Sequence, residues 1–250
     1  MSLVANVRGF AAWAPGLEDR AAWKAWAKDP VPLGAEGVPD ARFLPAMLRR
    51  RCTPLTRILL RAAYDACPEA QLAEVRTVFA SRHGSINESI ELIEGVARGL
   101  PLSPAKFSHT VHNAQAGLFS IASGNRRASS SLAAQEDTLG HGWLEALAHL
   151  EREPGRPLLF VVGDVPLAPT FAPLVKEPVC AYGVAFLLAH EGEGAPVSFE
   201  IAGREGPRSD LAWPDAAELV RWWLSGEPAL EIRGARLRFR WERGSGDGLN

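Results

Sequence analysis

Cysteine is scarce in this chain of 250 residues: Cys52, Cys67 and Cys180 are the only three. An odd number without short-range pairing excludes a secreted disulfide framework and reads as reduced thiols in a cytosolic protein. Long apolar runs are missing as well. No stretch reaches the roughly 18 uncharged residues that a membrane-spanning helix needs. The opening MSLVANVRGFAAW lacks a basic segment leading into an apolar one, so no secretory signal is read and cytoplasmic is the default. No excess of one charge exists either. The 27 Lys and Arg face 29 Asp and Glu, mixed along the chain, for a net charge of −2. That excludes the basic footprint of a nucleic-acid or membrane-surface binder. Phosphate loops of the GxGxxG and GxxxxGKS/T kinds do not occur, which argues against a nucleotide enzyme.

Several side-chain clusters stop short of a reactive constellation. Ser129, Ser130 and Ser131 lack the Gly-x-Ser-x-Gly elbow that would push a serine outward; a strand of such small residues suits tight sheet or interface packing. His141, Glu145 and His149 are four apart and share one helical face, a spacing that can bind zinc. A HExxH pattern and a third fixed ligand are both missing, so the trio reads as a polar helix face and no metal or cofactor is expected. His109 and His112, three apart, have nothing nearby to complete a triad and read as structural or tunnel-lining.

What is present is an ordinary globular balance, 47% apolar and 22% charged, with enough apolar surface for a core that needs no staple. Strand-like runs fall at Val4–Phe10, Glu74–Ala80, Arg127–Ala134, Pro157–Val162, Ala181–His190, Val197–Ala202 and Leu230–Trp241. Helical spacing covers Arg20–Lys28, Pro45–Cys67 with Thr53–Pro54 as a cap pair, Asn87–Arg98, Thr138–Glu153 and Pro214–Leu224. The small residues of Asn113–Ser123 permit close helix packing. Alternation of the two kinds implies an α/β protein with a largely parallel sheet covered on both faces.

One constellation is more specific. Ser103–Pro104 is followed by Asn113-Ala-Gln-Ala-Gly117, then Ser120 and Gly124. This resembles the SP…N-x-x-AG…S…G stretch of β-ketoacyl-acyl-carrier-protein synthases. Flanking pieces agree in order: VRGFAAWAPG, Thr77–Glu94, Phe160–Asp164 where the family ends a strand in Gly-Gly, and Gly183–Leu188. The resemblance spans residues 3–202. It implies a thiolase-like half-fold, a mostly five-stranded mixed sheet with helices on both faces and a short C-terminal helix-strand addition. The implied layout is 1–203 for the synthase-like domain, 204–243 for the addition packed on it, and 244–250 for a disordered tail.

The family's nucleophilic cysteine follows that stretch at a strand end. Counted without gaps from Gly124 its place is taken by Glu136; with one residue of slip it is Gln135, as in chain-length factors. Neither side chain forms an acyl thioester, and none of the three cysteines is near in sequence. The second half that carries the family's catalytic histidines is missing, with no histidine after His190. The resemblance therefore implies a non-catalytic, chain-length-factor-like subunit. It would form a heterodimer or heterotetramer with a full-length β-ketoacyl synthase in aryl polyene, polyketide or fatty-acid-type elongation. Acyl carrier protein would be met mostly through that partner. The strand holding Ser129, Ser130, Ser131 and Leu132 would pair across the dimer. Ile86, Ser89, Ile90, Ile93, His112 and Asn113 would lie at the interface or acyl tunnel, although each isoleucine taken singly reads as core. Two other readings stay open: a homodimer binding acyl groups or carrier protein, and a divergent acyl-thioester enzyme using Glu136 as acid or base.

Overall fold

The computed structural model describes residues 2–175 and 180–244. The expected disordered tail, apart from Gly244, lies outside the described residues. The chain opens with β1 (Ser2–Trp13) and α1 (Arg20–Lys28), whose first turn is capped by the Asp19 side chain accepting from Ala22 N at 2.8 Å. Trp23, Trp26 and Ala27 form the buried face of α1. The single helix expected over Pro45–Cys67 is two: α2 (Ala46–Arg49) and α3 (Pro54–Ala66). Thr53 divides them, because its extended backbone ends the helical path while its hydroxyl caps Thr56 N at 3.2 Å.

Next come β2 (Arg76–Ala80), α4 (Ile86–Ala97), α5 (Pro104–Phe107), α6 (Ala114–Ser123), β3 (Ser129–Leu132), α7 (Thr138–Arg152) and β4 (Leu158–Asp164). The chain continues through β5 (Tyr182–Ala189), β6 (Ala195–Gly203), α8 (Asp215–Ser225), β7 (Ala229–Arg233) and β8 (Leu237–Arg243).

The strands form one sheet of eight, not five, in the order β3-β2-β4-β5-β1-β6-β8-β7. Nor is it largely parallel. Only β2 with β3 and β2 with β4 run parallel; the other pairings are antiparallel. Connections explain this. A parallel return needs a crossover, usually a helix, and α4 to α7 supply two of them. Of the short turns at 190–194 and 234–236, the first carries the chain from β5 to β6 on the opposite side of β1, and the second closes the β7–β8 hairpin. The run expected as one strand over Leu230–Trp241 breaks at the second of these turns. There the Asp137 carboxylate accepts from Ala235 N at 2.6 Å and Arg236 N at 3.3 Å, fixing the turn against the start of α7.

Each sheet face has its own core. One holds α1, α7 and α8 with Trp143, Phe160, Phe186, Trp222, Phe239 and Trp241. The other holds α3 and α6 with Leu55, Leu59, Phe79 and Phe119. Helix α7 lies between two parts of the curved sheet. A Cβ on Gly142 would come within 2.7 Å of Phe160 on β4, and one on Gly140 would overlap the Phe239 ring on β8. Two residues apart on a helix point to opposite sides, so both glycines let strands approach. Arg76, 2% exposed, finishes the other end of α7 by donating to the carbonyls of His149, Glu153 and Arg156.

Among the described residues no helix is long and apolar enough to cross a membrane.

Candidate functional site

The junction of β3 and α7 carries the one described non-glycine residue with a left-handed backbone, Gln135 at φ 54. Such a conformation costs about 1–2 kcal/mol for a residue with a Cβ, and outliers of this kind gather at functional sites. Thr138 holds it: its hydroxyl donates to Gln135 O at 2.7 Å and accepts from Ala134 N at 2.9 Å. Gln135 itself is exposed, while Glu136 beside it is half-buried and paired with Arg82 at 3.2 Å.

A cavity of about 90 Å³ opens here, lined by Arg82, Gln135, Glu136, Asp164, Cys180 and Tyr182 among others. That is well below the ~300 Å³ at which pockets begin to enclose larger organic ligands. Cys180, remote in sequence, is thus brought next to Gln135 by the fold. Burial, then the nearby Asp164 charge, push its thiol up to about 12, which disfavours the thiolate that a nucleophile needs.

Asp164 closes β4 and is 9% exposed. Its carboxylate accepts from Ser81 Oγ at 2.7 Å, His83 N at 3.0 Å, Arg82 N at 3.1 Å and the Tyr182 hydroxyl at 3.3 Å. Burial raises its pKa, and these donors offset part of the shift. His112 Nε2 bonds Ser81 O at 3.0 Å in the same loop.

The remaining sequence candidates lie on the neighbouring surface. None of the α4 residues is buried. Ile86, Ser89 and Ile90 are half-buried, Asn113 is exposed, and Ile93 is 67% exposed, so the isoleucines are not core. No residue from 91 to 108 is buried, although Ile93, Val96, Leu100, Leu102 and Phe107 are apolar and solvent-facing. Exposed apolar residues gathered on one segment make a candidate interaction surface. Strand β3 is the edge of the sheet, with α6 and its exposed Ile121 against it.

On β3, Ser129 meets the Thr77 hydroxyl at 2.8 Å, and Ser130 Oγ lies 3.0 Å from both Glu145 and His149. His149 and Glu145 are 3.2 Å apart. His141 leaves that pair and packs edge-on against Phe239. Among the described residues no group of three His, Cys, Asp or Glu is placed to hold a metal ion. His109 is buried, which lowers its pKa.

Sequence reasoning missed Asp164, Arg82, Tyr182 and Cys180. One signal was visible: Asp164 stands where the resembled pattern has a second glycine.

No protein of curated function matches the sequence. Among solved structures, the ketosynthase ApeO in complex with its chain length factor ApeC from Xenorhabdus doucetiae matches with a TM-score of 0.79 at 25% identity. That match covers 96% of this chain and 100% of the matched one. The ishigamide ketosynthase/chain length factor matches at TM-score 0.61 and 15% identity, over 80% of this chain and 67% of that one. A β-ketoacyl synthase from Burkholderia phymatum STM815 gives 0.63 at 13%, over 81% and 65%. The fold is therefore the thiolase-like fold of ketosynthases. The model of the β-ketoacyl synthase N-terminal domain matches residues 23–242, and the chain belongs to that family.

Proposed function

We propose that this chain is a non-catalytic, chain-length-factor-like subunit that pairs with a complete β-ketoacyl synthase. The observations that carry the reading are the exposed apolar residues between Ile93 and Phe107 and the open β3 edge. Exposed apolar area and unpaired strand edges are both liabilities unless another chain covers them. The far edge, β7, is guarded by the charges of Glu231 and Arg233, whereas β3 offers only serines and a leucine. That difference favours association through β3. Residue identity supports the second element of the reading: the resemblance sets Glu136, or with one residue of slip the strained Gln135, where a synthase needs a thiol, and neither forms an acyl thioester.

The matched chain of the ApeO–ApeC complex is covered over its whole length, which supports a chain-length-factor type over a truncated synthase. Aryl polyene, polyketide or fatty-acid-type elongation are the pathways this implies. The chain also brings a basic surface of its own. Between residues 41 and 64 lie Arg42, Arg49, Arg50, Arg51, Arg57 and Arg61; Asp40 and Asp65 at the borders pair with Arg42 and Arg61, while Arg50 and Arg51 are exposed. An acidic carrier protein fits it by charge complementarity.

Co-expression with a synthase encoded beside this chain's gene is the test. The expected result is a 1:1 complex that elongates acyl groups, while the chain alone does not. Reversing charge at Arg50 and Arg51 leaves the complex intact and slows elongation. A stable monomer that ignores the synthase sinks the reading; a homodimer that also ignores it favours an acyl- or carrier-binding protein. Loss of activity in Glu136→Gln, with the complex intact, identifies a divergent enzyme.

A further inference from the structure

The apolar face of α4 is useful to a partner only if the helix points in a fixed direction, and its own packing does little to fix it. No α4 side chain is buried, so non-directional apolar contact does not orient it. Polar ties at its first turn do. Ser85 Oγ accepts from Gln115 Nε2 at 2.8 Å. Asn87 donates to Pro166 O at 2.8 Å and accepts from Ala168 N at 2.9 Å.

The lead-in loop, residues 81–85, is gathered onto Asp164. Its two oxygens take Ser81 Oγ, Arg82 N, His83 N and the Tyr182 hydroxyl. Ser81 Oγ in turn accepts from Gly84 N at 2.8 Å, and His112 holds Ser81 O. Gly84 has φ +54, and a Cβ there would sit 3.0 Å from His112, so any other residue would strain the loop. The Asp164 clamp is the last residue of β4, a strand buried along its whole length, and the Asn87 tie comes from the residues that follow it.

We propose that Asp164 is a positioning residue: it sets the direction of α4, and with it the apolar face offered to a synthase. The second half of that statement rests on the pairing reading above; the first does not. A glycine at this place would leave four donors without their acceptor. Apolar packing can slide, but a carboxylate holding two adjacent backbone N–H groups and a hydroxyl fixes the loop at one geometry.

Asp164→Asn replaces one acceptor oxygen by an NH₂ facing two donors, and Ser81→Ala removes the link between Asp164 and Gly84. Hydrogen–deuterium exchange on the full chain and synthase affinity are measured for both, beside the parent. The expected result is at least tenfold faster exchange across 82–97, with α7 and β5 unchanged, and at least tenfold weaker synthase binding. Unchanged exchange across 82–97 overturns the proposal. Equal acceleration in α7 and β5 also overturns it, since Asp164 would then serve the fold as a whole. Local acceleration with unaltered affinity overturns the link to the partner face. Local acceleration where even the parent ignores the synthase upholds the positioning role and removes the pairing reading alone. If Asp164→Asn does not fold, Ser81→Ala decides.

Discussion

At the scale of single residues, strain and burial give opposite lessons. Gln135 keeps a left-handed backbone that glycine would adopt without penalty. Gln135→Gly is expected to be neutral or to stabilise the chain by up to about 1 kcal/mol in urea denaturation. A clear destabilisation would mean that the Gln135 side chain itself supports the fold. The thiols are governed by burial. From an ordinary 9.0, Cys180 is pushed up to about 12 and Cys67 to about 11. Folded thiols thus hold their protons to higher pH than unfolded ones. Their contribution is complete below pH 9 and is lost as pH rises from about 9 towards 12. Stability should then fall by on the order of 1 kcal/mol per pH unit for each thiol in that window. Disulfide reagents should label the folded chain slowly at pH 8 and the unfolded chain fully; rapid labelling of Cys180 in the folded chain would refute its burial.

At the scale of elements, local chemistry announced helix starts well and strand ends poorly. The Thr53–Pro54 pair caps α3 through a local side-chain to backbone bond and was legible for that reason, while Asp19, which caps α1 in the same way, was not singled out. The break between α2 and α3 was hidden, because the apolar spacing runs on through it. The β7–β8 turn was hidden for a different reason: its anchor, Asp137, lies 98 residues away in sequence from Ala235. Asp137 is 6% exposed and caps no backbone group of its own helix. Asp137→Ala should cost about 1–3 kcal/mol by removing the charged acceptor that two turn N–H groups share. The loss should appear in thermal melts and as faster exchange in β7 and β8. A change confined to the start of α7 would show that the hairpin stands without it.

At the scale of the whole molecule, one continuous sheet accounts for the short C-terminal portion. β8 pairs with β6, and Phe239 and Trp241 enter the same core as Trp143 on α7. Helix α7 is therefore covered on its second side by this chain's own hairpin. The opposite end of the sheet is left open. β3 and the segment from Ile93 to Phe107 face solvent, and co-expression with a synthase is the measurement that belongs at this scale.

The sequence by itself determined the α/β class, the buried faces of α1 and α3, the buried strands at Leu158–Asp164 and Tyr182–Ala189, and the family, because each rests on local spacing or ordered motifs. The absence of a nucleophilic thiol near Gln135 and Glu136 was equally plain from residue identity. Only the tertiary structure decided which of those two is strained, that Cys180 shares their cavity, and that Asp164 gathers the loop before α4. It also joined the seven expected strand runs, the last split in two, into one sheet of eight and made a largely parallel sheet mostly antiparallel. Those outcomes depend on contacts between residues far apart in the chain, where one carboxylate or one short turn selects among arrangements that local pattern leaves equal.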